Sequence, residues 1–442
     1  MQIFLIGLTS TSLGGMEYGN LGNYVIMEPL TKFLKQEFPE AKIVTSIQMS
    51  DKFCQKFGIE SKREKRFWTY GKLTGFTTIV DILKITIWSL FEYIFKINLK
   101  FLLNSSLLLR EIDQSNIIID FSGDIFGDNA SARKYLEGCA ELTFSKILKK
   151  PTIMLIGSPG PFREIWRLIL AKFVMNRLDL ITTREPFSKD LLEYIGINEE
   201  KLISTACPSF WFEKNNNKNM KEILLKEKIV SNTNKPLVGL IISGWNMPKS
   251  PFNRWPREDS EFTTFVKLIE CLIIHLKTRV CIMSHQNAVT KEGHLIAGND
   301  HRIIKQLLKI LGNRFSENQV FTLNGFYDAA TSKAIIGNFE ILISGRIHGA
   351  VQGLSQGIPT LIIDYGHEPK AHKLKGFARL VAMENYLCNP HDSQDMINKI
   401  KDLWNNKEAV KKHLEKKIPE IKQLAKLNFK LIKKVIDDKK DN

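Results

Sequence analysis

From Phe339 to Ile363 the sequence reads as a strand, a tight turn, a helix and a second strand. Phe339-Glu340-Ile341-Leu342-Ile343 is a short, mostly apolar run. Ser344-Gly345-Arg346-Ile347-His348-Gly349 makes the turn, and Ala350 to Gly357 is a small-residue helix. Ile358-Pro359 then opens another apolar run, Thr360–Ile363. That succession is a βαβ unit. It constrains the fold strongly, because parallel strands need a crossover between them and cover on both faces. In open sheets of this kind, ligands bind beyond the carboxyl ends of the strands. The turn at that end carries Arg346 and His348. A guanidinium grips phosphate or carboxylate bidentately, and an imidazole exchanges protons near neutral pH.

The same alternation runs along the chain. Ile3–Gly7, Ala41–Ser46, Ile117–Phe121, Pro151–Ile156 and Leu178–Thr183 read as strands that stop at polar or Gly-rich turns. The first leads through Gly14, Gly15, Gly19 and Gly22 into a helix from about Val25 to Phe38. Backbone amides there could meet an anion, or the glycines could serve loop geometry alone; the spacing is that of neither a dinucleotide fingerprint nor a P-loop. A second series, Leu237–Ile242, Thr278–Met283 and Val320–Leu323, leads into the Arg346 unit. Between the two series, Lys214-Asn215-Asn216-Asn217-Lys218 reads as linker.

A length of 442 residues suits two domains. The expected fold is α/β, with two doubly wound Rossmann-like domains facing a cleft. Residues 1–210 form the first, with an apolar helical insertion at about 77–112; 211–236 is the linker; 237–390 is the second, holding the Arg346/His348 loop. Residues 391–442 read as Lys-rich solvated helices broken at Pro419.

Lys and Arg number 63 against 47 Asp and Glu, a net charge of +16, which favours an anionic partner. No zinc-finger, helix-turn-helix or RNA-binding signature is present, so nucleic acid is not expected. The six cysteines are scattered without a C-x-x-C pair. That argues against a disulfide framework or a zinc site and fits a reducing, cytoplasmic compartment. The opening run Met1–Gly7 has no basic flank and reads as a strand rather than a signal peptide. Thr77–Leu103 is apolar and aromatic, but Asp81, Lys84, Glu92, Lys96 and Lys100 interrupt it, which argues against a spanning helix. Either it lies on an anionic membrane at the inner face, or it packs on the first domain.

Strand ends supply the candidates for chemistry. Arg184, in Arg184-Glu185-Pro186-Phe187-Ser188, could bind a ligand or support the next helix. His285 follows the strand ending at Met283, and Lys370 and Lys373 follow the strand ending at Ile363. Ser243-Gly244-Trp245-Asn246 offers an indole to stack on a sugar ring and an amide for its hydroxyls, unless Trp245 and Asn246 are ordinary core.

Taken in order, these motifs resemble the polysaccharide pyruvyl transferase family. They are Gly19-Asn20-Leu21-Gly22-Asn23; Ile117-Ile118-Ile119 with Ser122-Gly123-Asp124; Gly157-Ser158-Pro159-Gly160-Pro161; Arg184 to Ser188; Ser284-His285; Ser344 to Gly349 with Gly357-Ile358-Pro359; and Tyr365 followed by His372-Lys373-Leu374-Lys375-Gly376. Asn23 stands where the family often has Asp. The resemblance implies a glycosyltransferase-B-like pair of domains. It also implies transfer of pyruvate from phosphoenolpyruvate to two hydroxyls of a sugar or glycan acceptor, lipid-linked or free, with no cofactor and no metal. On that reading Arg184, Arg346, Lys370 and Lys373 bind the donor, with Ser344, Asn20, Asn23, Trp245 and Asn246 around the substrates. His348 moves protons, with His285 as second candidate. The alternatives are a nucleotide-sugar glycosyltransferase of the same architecture and a non-catalytic, membrane-peripheral module of an envelope-assembly complex.

Overall fold

A computed structural model describes residues 1–7, 19–47, 49–62, 72–123, 125–128, 130–231, 234–249, 254–289, 295–296, 298–366 and 371–438. The chain divides into two compact units. Unit one comprises Met1–Gly14, Thr31–Ala206 and Lys426–Asn442; unit two comprises Gly15–Leu30 and Cys207–Ala425.

Unit one is built on seven parallel strands: β1 (Gln2–Ile6), β2 (Lys42–Thr45), β3 (Ile59–Ser61), β4 (Ile117–Asp120), β5 (Thr152–Gly157), β6 (Leu180–Thr183) and β7 (Leu202–Ser204). Their order is β3-β2-β1-β4-β5-β6-β7. Its helices are the C-terminal part of α1 (Leu21–Glu37), from Thr31 on, then α2 (Asp51–Phe57), α3 (Lys72–Leu90), α4 (Lys100–Asn104), α5 (Leu107–Gln114), α6 (Ala132–Ile147), α7 (Ile165–Met175) and α8 (Pro186–Tyr194). Strands β4, β5 and β6 are buried at every position, as a sheet covered on both faces requires. The inner faces of α3, α5, α6 and α7 close one core with the sheet, through Trp88, Leu109, Tyr135, Leu142 and Val174.

Unit two repeats the plan. Strands β8 (Leu237–Ile241), β9 (Arg279–Ile282), β12 (Val320–Thr322), β13 (Ile341–Ser344), β14 (Thr360–Ile363) and β15 (Leu387–Cys388) are parallel, in the order β12-β9-β8-β13-β14-β15. A small antiparallel pair, β10 (Ala288–Val289) and β11 (Leu295–Ile296), stands apart. The helices are α9 (Met220–Lys226), α10 (Thr263–Glu270), α11 (Asn299–Leu311), α12 (Ala329–Ile336), α13 (Ile347–Leu354), α14 (Ala371–Leu380) and α15 (Ser393–Asp438). In both sheets the strand order reverses beside the first strand, the place where doubly wound sheets bind ligands.

The organisation differs from the sequence reading in three respects. Gly15–Leu30, read as part of a domain spanning 1–210, clusters with unit two. The stretch 211–236 is no free linker: it contains α9, and Ile223, Leu224 and Ile229 pack into a core with Ile241, Met283 and Phe339. Glu227 just beyond α9 is fully buried, and its carboxylate accepts from the Asn324 and Gly325 amides at 2.6 and 3.1 Å. Finally, 391–442 holds one continuous helix through Pro419 instead of a break. Val410, Leu414, Ile418, Ile421, Ala425, Phe429, Ile432 and Ile436 are all buried at three- and four-residue spacing. That stripe offsets the hydrogen bond proline removes.

The last turns of α15, from Lys426 on, belong to unit one and are held there by a buried amide. Asn428 Oδ1 accepts from the Thr182 and Thr205 hydroxyls at 2.8 and 2.9 Å, and Nδ2 donates to the Ala206 carbonyl at 3.0 Å. Phe429 stacks on Phe33, with ring centroids 4.2 Å apart. Replacing Asn428 with leucine strands the Thr182 hydroxyl proton and the Ala206 carbonyl away from water, at about 1–3 kcal/mol for each group left unpaired, while Thr205 keeps the Thr183 carbonyl. The variant should unfold at clearly lower denaturant concentration than wild type, and an unchanged midpoint would show that the amide does not hold the helix.

Candidate functional site

The site in unit two starts from the ends of β8, β9, β13 and β14. Asn246 joins three of them. Its Oδ1 accepts from the Ser243 amide and hydroxyl at 2.9 and 3.0 Å, while Nδ2 donates to Asp364 O at 3.1 Å and reaches Gly345 O at 3.5 Å. Gly345 is required there, since a methyl group on it would come within 2.1 Å of Asn246 Oδ1. Asn246 is fully buried, so its amide is committed to backbone, where the sequence offered it to sugar hydroxyls. Trp245 beside it stays half-buried, its ring 6.1 Å from that of Tyr365.

The β13–α13 turn is self-bonded. Ser344 Oγ donates to Arg346 O at 2.9 Å and accepts from Arg346 N at 3.3 Å. Arg346 takes the N-cap position with extended backbone, and His348 falls in the first turn of α13. The guanidinium meets an acid the sequence reading did not single out. Asp300, in the first turn of α11, is fully buried and takes Arg346 Nε on Oδ2 at 2.9 Å and Nη2 on Oδ1. Arg346 Nη2 also donates to Gln286 Oε1 at 2.8 Å. Burial works against the charge on Arg346, and the Asp300 carboxylate outweighs it, holding the guanidinium above its ordinary range. Nη1 has no partner among the described residues.

Asp300 Oδ2 also accepts from the His285 amide at 3.1 Å. The His285 ring is buried, and its Nε2 is unpartnered. Burial first, and then the neighbouring Arg346 charge, push its pKa down to about 3. His285 is therefore neutral near pH 7 and is a poor proton donor there. His348 is half-buried, with Nε2 3.8 Å from Cys207 Sγ. A methyl group on Gly22 would stand 2.8 Å from His348 Nδ1, so the ring lies against the start of α1.

That start is set by Asn20, whose Oδ1 accepts from Gly22 N at 3.1 Å as a helix cap. Asn20 pairs with Gln286 in an isolated antiparallel bridge, and Asn287 N donates to Gly19 O at 2.9 Å. The Gly-rich loop, the His285 loop and the Arg346 turn are thus brought together within unit two. Asn23 there has an unpartnered, buried Nδ2. Lys373 is buried on α14, and Lys370 lies outside the described residues, as does Asp124.

Arg184 belongs to unit one. Its Nε donates to Ser158 Oγ at 2.6 Å, joining the two loops that follow β5 and β6. Glu185 caps α8, accepting from Ser188 N at 3.0 Å. At the strand-order reversal of the same unit, Ser122 donates to the buried Asp120 carboxylate, and burial pushes that carboxyl up to about 7.

Two doubly wound parallel sheets define a two-domain α/β fold of the glycosyltransferase-B kind. Solved structures share it at 12% identity. Anabaena HepE in complex with UDP and glucose superposes with a TM-score of 0.57 over 99% of this chain and 100% of that one. UDP-GlcNAc 2-epimerase from Neisseria meningitidis bound to UDP-GlcNAc gives 0.58 over 98% and 100%. A glycosyltransferase from Rickettsia africae gives 0.56 over 98% of each. No curated protein matches the sequence. Residues 20–367 match the polysaccharide pyruvyl transferase family, and the chain belongs to it.

The His285 environment predicts a pH dependence. Between its folded pKa of about 3 and its ordinary 6.5, the unfolded chain takes up a proton that the fold refuses. The stability contributed by keeping this ring neutral is complete above 6.5 and is lost as the pH falls through that window. A His285→Gln variant should show a shallower fall of the denaturation midpoint with acidification than wild type. Equal slopes would contradict a neutral buried ring.

Proposed function

We propose that this protein transfers pyruvate from phosphoenolpyruvate to two hydroxyls of one sugar in a cell-surface polysaccharide or its precursor, forming a cyclic ketal. Membership of the pyruvyl transferase family supports the reaction class. The observation that carries the residue assignment is the pairing of His348 and Arg346 in one helix-opening turn, with Nη1 of the guanidinium unpartnered among the described residues.

The reaction makes three demands. The donor has a carboxylate and a phosphate, and Arg346 Nη1 offers two donors to either. Its other edge is held by Asp300, so the fork is oriented before the ligand arrives. The donor's methylene carbon must gain a proton, which makes the adjacent carbon electrophilic. A sugar hydroxyl then adds to that carbon through a new C–O bond, and a second hydroxyl replaces phosphate to close the ring. Of the two hydroxyl protons released, one balances the proton gained by the methyl group and the other leaves with phosphate. His348 is the group in this turn able to carry protons near neutral pH. Cations beside the departing phosphate stabilise its growing charge. Trp245 and Tyr365 offer apolar ring faces for the acceptor.

Calorimetric titration with phosphoenolpyruvate should show saturable binding. Incubation with an acceptor glycan should add the mass of pyruvate less one water and release phosphate. His348→Ala should lower turnover by about 10²–10⁴-fold while leaving donor binding in place. Wild-type-like turnover by that variant would remove His348 from the reaction. Some solved structures of this fold hold UDP or a UDP-sugar. Sugar transfer from a UDP-sugar without phosphoenolpyruvate would therefore replace this proposal with a glycosyltransferase.

A further inference from the structure

Unit one carries an apolar surface that its own core does not use. Among the described residues no helix is long and apolar enough to cross a membrane. Yet Phe76, Ile79, Leu83, Ile87 and Leu90 of α3 are all exposed, Phe76 by 64%. At three- and four-residue spacing they form one stripe along the helix. Opposite that stripe, Ile85 and Trp88 are buried in the core. The π-helical turn Phe91–Phe95 carries the stripe onward through exposed Tyr93, Ile94 and Phe95.

A second helix behaves in the same way. On α7, Ala171, Val174 and Met175 face the core, while Ile165, Ile169 and Phe173 are exposed by 74%, 63% and 48%. Helix α6 packs against both α3 and α7, and its Leu136 is exposed between core-facing Tyr135 and Cys139. These three helices cover the same core, so their outward residues belong to the outer surface of one layer. Scattered apolar residues on a surface need no explanation, but a face of this extent marks an interaction site.

The charges beside the face select its partner. Lys96, Lys172 and Arg177 are exposed there. Lys149 Nζ sits 4.9 Å from the Tyr93 ring centre, and the Arg177 guanidinium 3.7 Å from that of Phe173. Of the neighbouring acids, Glu164 pairs with Arg167 and Glu137 with Arg133, and Glu92 in the π-helical turn is half-buried. Apolar stripes, aromatic rings and a basic rim, on a chain of net charge +16, complement an anionic lipid surface.

We propose that the outer face of α3, its π-helical continuation and α7 seats on an anionic lipid bilayer, with the apolar side chains in the headgroup–acyl boundary and the lysines and arginines on the phosphates. The contact involves two helices from separate parts of the sequence, and it does not depend on the reaction proposed above.

The test is sedimentation of the full chain with phosphatidylcholine vesicles, with and without phosphatidylglycerol. Binding is expected to the mixed vesicles alone, weakening as salt is raised. The pairs Leu83→Glu/Ile87→Glu and Ile165→Glu/Ile169→Glu should each lower partitioning about tenfold or more. These side chains are exposed, so circular dichroism and melting temperature should match wild type. Absence of binding to the mixed vesicles, or wild-type binding by the α7 pair, would overturn the proposal. A dimer seen by light scattering without vesicles, and dissociated by the same substitutions, would also overturn it and assign the face to a second copy of the chain.

Discussion

A fully buried carboxylate at the opening of α11 organises the site in unit two. Asp300 has no access to water, and a lone ion in that position would cost several kcal/mol. Three groups compensate it: the Arg346 guanidinium, the His285 amide, and the amino end of its own helix. Because Arg346 also holds Gln286, the pair fixes the loop after β9 to the turn after β13, on either side of β8. The guanidinium is thereby aimed and partly neutralised at once. Nη1 has no partner among the described residues, and His348 follows two residues on, in the first turn of α13.

The same reasoning assigns different work to residues that look alike in sequence. His285 and His348 both follow strands, but His285 is enclosed beside a cation and kept neutral, while His348 stays half-buried against Gly22 and Cys207. Asn246 and Asn20 resemble sugar-binding amides, yet one ties together three strand ends and the other caps α1. Site and scaffold are built from the same residue types, and the number of hydrogen bonds already spent on the protein separates them.

Much of the fold was legible because the central strands are apolar on both faces. Ile117–Asp120, Thr152–Gly157 and Ile341–Ser344 are buried at every position and read as buried strands from the sequence. The edge strands Ile59–Ser61, Leu202–Ser204 and Leu387–Cys388 escaped notice, since two or three residues with partial burial leave no periodic signal. Pro419 misled because local propensity was weighed without the buried stripe running through it. Asp300 could not be foreseen: positions 300 and 346 are joined only after β9 and β13 take their places beside β8. The apolar character of 77–103 was plain, whereas its counterpart on α7 emerged only when the inward-facing residues of that helix were known.

The central claim is that Asp300 and Arg346 act as one unit, and a double-mutant cycle measures this directly. Unfolding free energies of wild type, Asp300→Asn, Arg346→Gln and the double variant should give a coupling above about 1 kcal/mol, with the double variant much less destabilised than the sum of the singles. Losses that add to within about 0.5 kcal/mol would mean that the two side chains do not depend on each other, and this account of the site would fail.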